Sequence, residues 1–128
     1  MRYQIKKLPI YPGYFGIVEA EHWDQLKKFE FKDVVPGETF ASAVDWKYKG
    51  FKCVFLVFNT DKDLFKPLSP GDINHEVVHA CHIIFGHIEY IVDNNNDESM
   101  AYLAGWLTDE VHNFLYGTNY NNQKQILK

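Results

Sequence analysis

Hydrophobic positions in the first half of the chain follow the spacing of β-strands. Residues 39–46 alternate in character, and a short turn ending at Gly50 separates them from residues 51–58, which are rich in β-branched and aromatic side chains. The end of the second segment is apolar on both faces, which is typical of a strand covered on both sides. Residues 3–20 add extended segments broken by proline and glycine, with a short strand at 14–18. The pattern predicts an antiparallel β-sheet in the N-terminal half of the chain.

Apolar residues in the second half recur at helical spacing. Ser69 is a good helix cap, and Asp72 stands three residues later, where it can complete a capping box, with a proline between them in the first turn. From there apolar residues recur at i, i+4, i+7 and i+8, which predicts an amphipathic helix of about four turns. A second helix is predicted to start near Asp97 after a polar loop, and a short helix is predicted at residues 22–31.

These elements predict one small α+β domain over residues 1–128, with a β-rich half at 3–58 and a helical half at 70–116. The length of 128 residues suits a single domain, and a hydrophobic share of 46% excludes a disordered chain. Cys53 and Cys81 both lie in apolar stretches, so we expect buried free thiols and no disulfide between them.

Charge and hydropathy narrow the classes of partner. The net charge is −4 and no run of lysine and arginine occurs, so nucleic acid is not an expected partner. The apolar runs are too short to cross a bilayer, and the first residues lack the apolar core of a signal peptide. We therefore expect a cytoplasmic protein that does not bind membranes.

The histidines are clustered on the first predicted helix of the second half. Four of the six histidines fall within thirteen residues of that segment. On a helical wheel His75, His79 and His82 lie opposite the apolar stripe, and His75 and His79 project from adjacent turns toward one point. Glu76 lies about a quarter turn away, where it can reach a water molecule on a metal without being a ligand. This is the H-E-x-x-H arrangement of two imidazole ligands and a general base, and it predicts one zinc ion.

The second helix offers a third ligand. The side opposite its apolar stripe carries Glu98, Tyr102 and the small residues Ala101 and Gly105. We expect this face to pack against the histidine face of the first helix, because small residues let two backbones approach closely. That contact would bring Glu98 to the two imidazoles and leave a fourth zinc position open for water. It would also place the Tyr102 hydroxyl where it can help to hold an oxyanion.

Other assignments of these residues stay open at this stage. Glu98 can instead be a carboxylate that the helix dipole favours at an N-terminus, in which case Asp93, Asp97 or His82 would have to complete the site. Tyr102 can be a packing residue, and His82 can lie in the second coordination shell. His75 and His79 can also be ordinary residues of a solvent-facing helix surface.

The segment from His75 to His79, followed by D-E-S-M-A-Y-L-A-G-W at residues 97–106, resembles the gluzincins, a group of zinc metallopeptidases. It more closely resembles small, mostly phage-encoded proteins in which an H-E-x-x-H helix is followed by N-D-E-x-x-A-Y-L-x-G. The resemblance implies a zincin-like fold and a peptidase-type site at His75, Glu76, His79 and Glu98. It departs from the gluzincin pattern at Tyr102, where that group has an aspartate, and in the lack of a lobe that closes a substrate cleft.

Two functions follow as expectations. The first is a zinc-dependent metallopeptidase or amide hydrolase acting on a peptide or protein, which would lie along an edge strand at 39–46 or 51–58. The second is a phage virion or accessory protein in the bacterial host cell, bound to phage structural proteins, in which zinc only stabilises the fold. A metal-free remnant of such a fold is a third alternative.

Overall fold

The computed structural model describes residues 2–20, 38–95 and 97–121. Four strands precede two helices in this part of the chain, which confirms the predicted α+β class. The elements are β1 (Arg2–Lys7), β2 (Tyr14–Ala20), β3 (Ala41–Tyr48), β4 (Phe51–Asn59), α1 (Pro70–His87) and α2 (Glu98–Tyr116). The short helix predicted at residues 22–31 lies outside the described residues.

The four strands form one mixed sheet in the order β1-β2-β4-β3. β1 pairs antiparallel with β2, and β3 pairs antiparallel with β4 through a turn in which Lys49 and Gly50 both have positive φ angles, of 49° and 84°. β2 and β4 are parallel, with Tyr14 opposite Cys53, so the prediction of a wholly antiparallel sheet is wrong. The local patterns specify the hairpins, whereas the pairing of β2 with β4 joins strands distant in sequence, and no local pattern reports its direction.

β4 is an interior strand that is covered on both faces. Its last seven residues are all buried, which confirms the prediction from its unbroken apolar run. One face of the sheet packs under the two helices, with Val54 and Leu56 in the main core. The opposite face carries a second apolar cluster that includes Cys53 and Phe55. The two predicted free thiols, at Cys53 and Cys81, are both buried, and neither forms a disulfide.

The predicted start of α1 is confirmed by its cap. The Ser69 hydroxyl accepts a hydrogen bond from the Asp72 amide at 3.1 Å, and the Asp72 carboxylate accepts one from the Ser69 amide at 2.9 Å. The apolar stripe of α1 is buried against the sheet, so the helix is held in a fixed rotation about its axis. That rotation directs the histidine face away from the core.

The predicted contact between the polar faces of the two helices is wrong. A Cβ atom built at Gly86 of α1 or at Gly105 of α2 would meet nothing within 4 Å. Ala101 and Tyr102 of α2 are exposed, as is His82 of α1. The helices meet instead through their apolar sides, where Leu103, Leu107 and Val111 of α2 join the core with Val77 and Ala80 of α1. Burying those apolar side chains stabilises the domain more than burying imidazoles would, since polar rings lose hydration when they are covered.

α2 ends at a glycine in the left-handed conformation. Gly117 has a φ of 70°, and its amide donates a hydrogen bond to the Asn113 carbonyl at 3.0 Å. Neither helix of the described chain is apolar enough over a sufficient length to cross a membrane.

Candidate metal centre

A cleft between α1 and the edge of β3 contains the residues of the H-E-x-x-H motif. Its volume is about 540 Å³. One wall is the start of β3 and the other is the polar face of α1. The lining residues are Ala41, Ser42, Ala43, His75, Glu76, His79, His82 and Ile83. The cleft thus joins the motif to an edge strand, which neither local pattern alone predicts.

His75 and His79 face each other across one turn of α1. Their Nε2 atoms are 3.2 Å apart, and their rings lie 4.8 Å apart between centroids at an angle of 72°. A tetrahedral zinc ion with Zn–N bonds of about 2.0–2.1 Å holds two nitrogens about 3.3 Å apart. The spacing therefore fits two imidazole ligands of one cation. In the absence of a cation, the same distance lets one ring donate its N–H to the other.

Glu76 completes a group of three possible ligands. The ligand atoms of His75, Glu76 and His79 all lie within 4.8 Å of one another, and within the described chain this is the only such group of three or more histidine, cysteine, aspartate or glutamate residues. The two histidines are exposed and the glutamate is buried, so the carboxylate approaches the imidazole pair from the protein side. Two nitrogens and one carboxylate oxygen form a donor set that suits zinc.

The surroundings of Glu76 alter its proton affinity. Its side chain is only 8% exposed. Burial raises the pKa of the Glu76 carboxyl group above its ordinary value, while the nearby His75 and His79 and a hydrogen bond from the Ala43 amide partly oppose that rise. A carboxylate with a raised pKa is a better proton acceptor than an exposed one, which suits a general base working near neutral pH.

The structure does not bring Glu98 into this group. Glu98 is the first residue of α2, and its side chain is exposed. It does not line the cleft, and the possible ligand group of the described residues omits it. This position matches the alternative in which the helix dipole favours a carboxylate at the N-terminus. Asp93 and Asp97 are likewise exposed and outside the group.

His82 lies in the cleft but beyond the reach of a shared cation. It is exposed and lines the cleft with His79. The rise of an α-helix puts it about 10.5 Å along the axis from His75, although only about 4.5 Å from His79. One ion bound between His75 and His79 is therefore too far along the helix for His82 to serve as a third ligand.

Tyr102 is placed away from the cleft. Its side chain is 77% exposed. It lines a separate groove of about 490 Å³ between α2 and the loop that joins β1 to β2, which includes Ile10. The structure thus does not bring its hydroxyl to the motif, because the helix faces that were expected to meet are both turned to solvent.

Cys81 is close to the motif in sequence but is not a ligand. It lies on the buried side of α1, and burial raises the pKa of its thiol to about 12. It faces the core, away from the exposed imidazole pair, and the possible ligand group of the described residues omits it. The cysteine therefore acts as a core residue.

The three motif residues could be predicted from the sequence, but the role of the Ala43 amide could not. That amide supplies a hydrogen bond to the Glu76 carboxylate from the neighbouring strand. A backbone donor leaves no mark in the sequence, so only the packing of α1 on β3 reveals it.

Comparison with known proteins finds no protein family that matches the chain, no similar curated protein and no solved structure that resembles it.

Proposed function

We propose that this protein is a zinc-dependent hydrolase of peptide or amide bonds, with the ion held by His75 and His79 and with Glu76 as general base. The observation that carries the proposal is the 3.2 Å separation of the two Nε2 atoms beside a buried carboxylate. The i, i+4 spacing brings the two rings together on one face of α1, and the buried carboxylate beside them supplies the proton acceptor that a metal-activated water needs.

When bound, zinc would lower the pKa of a coordinated water and polarise a substrate carbonyl. Glu76 accepts a proton from the attacking water as the bond between the water oxygen and the carbonyl carbon forms. It then delivers that proton to the amine nitrogen as the carbon–nitrogen bond breaks, so the products are a carboxylic acid and an amine. The raised pKa of Glu76 suits both steps, because the same group must take a proton and return it.

The position of β3 beside the motif favours a peptide as the substrate. Of the two strands considered for the substrate edge, β4 is interior and β3 is at the edge of the sheet formed by the described strands. Residues 41–43 of β3 form one wall of the cleft. An extended peptide laid along this edge would pass directly over the imidazole pair, with its main chain available for hydrogen bonds to the strand.

Zinc binding is tested by competition against a chromophoric chelator, with the metal content counted by mass spectrometry. The wild-type protein should hold one zinc ion. His75→Ala and His79→Ala should each weaken the affinity by about 100-fold or more, which exceeds the usual effect of losing a second-shell partner. His112→Ala is the matched control, since His112 lies on α2 beside the ring of Tyr116 and outside the cleft. Equal affinity in all four proteins would contradict the proposal.

Glu98→Gln separates two ways of completing the site. If His75 and His79 hold the ion without Glu98, this variant binds zinc as the wild type does. A loss comparable to that of His79→Ala would instead put the first turn of α2 at the ion, as the gluzincin resemblance implies.

Hydrolysis is tested with Glu76→Gln in a peptide-library assay of the zinc-loaded protein. The variant should retain the ion and lose turnover, because an amide cannot accept the proton from water. Equal turnover in the variant and the wild type would refute the role of Glu76.

The alternative is a phage structural or accessory protein in which the metal only stabilises the fold. The groove beside α2 favours it, since Ile10 and Tyr102 are 83% and 77% exposed there, as apolar side chains at a binding surface often are. On this alternative a chelator lowers the melting temperature and disrupts assembly, whereas Glu76→Gln changes no turnover.

A further inference from the structure

We infer that His82 contacts the substrate in the cleft, donating an imidazole N–H to a main-chain carbonyl oxygen of a bound peptide; this inference rests on the proposed function. The residue follows the imidazole pair along the same face of α1, at the point where the cleft continues beyond His79.

Position supports this role. His82 is one helical turn from His79, about 4.5 Å further along the axis. A peptide residue in an extended strand spans about 3.3 Å. The residue next to the scissile bond would therefore lie beside His82 if the peptide followed α1 and β3 through the cleft.

The His82 side chain is also available to bind a ligand. The His82 imidazole is exposed, and no hydrogen bond or ion pair joins it to another residue within the described ranges. His87, on the last turn of the same helix, is by contrast engaged with Asp45 of β3 at 2.8 Å. An uncommitted donor in a cleft can bind a ligand without first breaking a protein contact.

The chemistry of the neighbouring wall also fits. Ala41 and Ala43 carry the smallest side chains that β3 could present here, and Ile83 adds an apolar contact on the helix side. The other polar side chains of the cleft are Ser42 of β3 and the three motif residues, so His82 adds an N–H donor beyond the imidazole pair. An imidazole N–H at this position can donate a hydrogen bond to the carbonyl oxygen of a peptide.

The test uses the zinc-loaded full chain and three measurements on His82→Ala, His82→Gln and the control His112→Ala. The first is zinc affinity, the second is the affinity of a dipeptide hydroxamate relative to acetohydroxamate, and the third is kcat/KM on a peptide that the wild type cleaves. Acetohydroxamate contacts only the metal. The ratio of the two affinities, called here the dipeptide gain, therefore measures the contacts that the dipeptide part makes along the cleft.

His82→Ala should keep zinc affinity within about threefold while losing about tenfold of the dipeptide gain, which is the usual effect of one hydrogen bond. It should lower kcat/KM by a similar factor of about ten, because the carbonyl that His82 contacts lies one residue from the scissile bond and gains no charge in the reaction. His82→Gln, which retains an N–H donor, should recover part of both losses, and His112→Ala should match the wild type.

An unchanged dipeptide gain in His82→Ala would overturn the inference. So would a loss of zinc affinity as large as that of His79→Ala, because His82 would then be a ligand. The hydroxamate comparison does not need turnover, so a wild-type protein that binds zinc but cleaves no peptide would refute the hydrolase and still decide the role of His82.

Discussion

The backbone amide of Ala43 donates a hydrogen bond to the carboxylate of Glu76. The bond joins the edge strand of the sheet to the buried acidic residue of the H-E-x-x-H helix. It orients a carboxylate that would otherwise be free to rotate, and it favours the charged form that a general base must have at the start of a reaction. The amide of Ala43 is available because alternate residues of an antiparallel strand direct their N–H and C=O groups away from the neighbouring strand, here β4.

Replacing Ala43 with proline removes this donor and no ladder hydrogen bond. Because this hydrogen bond favours the charged carboxylate, we expect its loss to raise the pKa of Glu76 further. Activity that needs ionised Glu76 is lost as the pH falls through that pKa, so the acidic limb of the kcat/KM profile should move to higher pH. Ala41→Pro, two residues earlier on the same strand, is the control and should leave the limb in place. A limb that moves equally in both variants would show that the strand, and not this bond, controls the glutamate.

Glu76 should destabilise the metal-free protein at neutral pH. Its pKa in the folded protein is raised above the ordinary value of 4.5. The stability that the protonated side chain contributes is therefore fully present below pH 4.5, and it is lost as the pH rises through the folded-state pKa. In EDTA, Glu76→Gln should therefore melt at a higher temperature than the wild type at pH 7.5, and the difference should vanish near pH 4. Thermal unfolding followed by circular dichroism measures both.

The pKa of Asp72, on the same helix, is shifted in the opposite direction, so this residue serves as the comparison. The hydrogen bonds from Lys66 and from the Ser69 amide hold the pKa of Asp72 at about 2, against an ordinary value of 3.8. Its stabilising contribution is complete above 3.8 and is lost as the pH falls through about 2. Asp72→Asn should therefore lower the melting temperature at pH 7.5, and a fall of similar size in Glu76→Gln would contradict the effect of burial on the glutamate.

Zinc should stabilise the folded domain through its binding alone. At a free concentration 100 times the dissociation constant the gain is about 2.7 kcal/mol, which corresponds to roughly 10 °C in melting temperature for a domain of this size. The increase should be absent in His75→Ala and His79→Ala. An increase that persists in either variant would place the ion somewhere other than the imidazole pair.

A glycine on α2 tests which helix faces meet, and a glycine in the sheet provides the contrast. Gly105 is exposed on α2, and a Cβ atom there would meet nothing within 4 Å, so Gly105→Ala should stabilise the domain by about 0.5–1 kcal/mol through helix propensity. Gly16 of β2 lies against Phe55, where a Cβ atom would approach the ring to 2.5 Å, so Gly16→Ala should destabilise by about 1–3 kcal/mol. Urea denaturation measures both. A loss of stability in Gly105→Ala would indicate that α2 does pack on α1 through this face.

Features that depend on near neighbours in the chain could be predicted from the amino-acid order alone. The capping box of Ser69 and Asp72, the hairpin turn at Gly50 and the convergence of His75 with His79 each arise within a few residues, from hydrogen bonds and side-chain directions that a helix or a turn imposes. The burial of β4 on both faces was also readable, because only a covered strand carries so unbroken an apolar run.

Which elements meet depends instead on how the whole domain packs. It placed β4 parallel to β2, set β3 beside the imidazole pair, supplied the Ala43 amide to Glu76 and left Glu98 and Tyr102 in solvent. Small residues on α2 suggested a close helix contact, yet the larger apolar stripes of both helices were already committed to the core. Packing of this kind minimises the exposed apolar area of the whole domain. That total area depends on all the elements together, so it cannot be predicted from the sequence of a single helix.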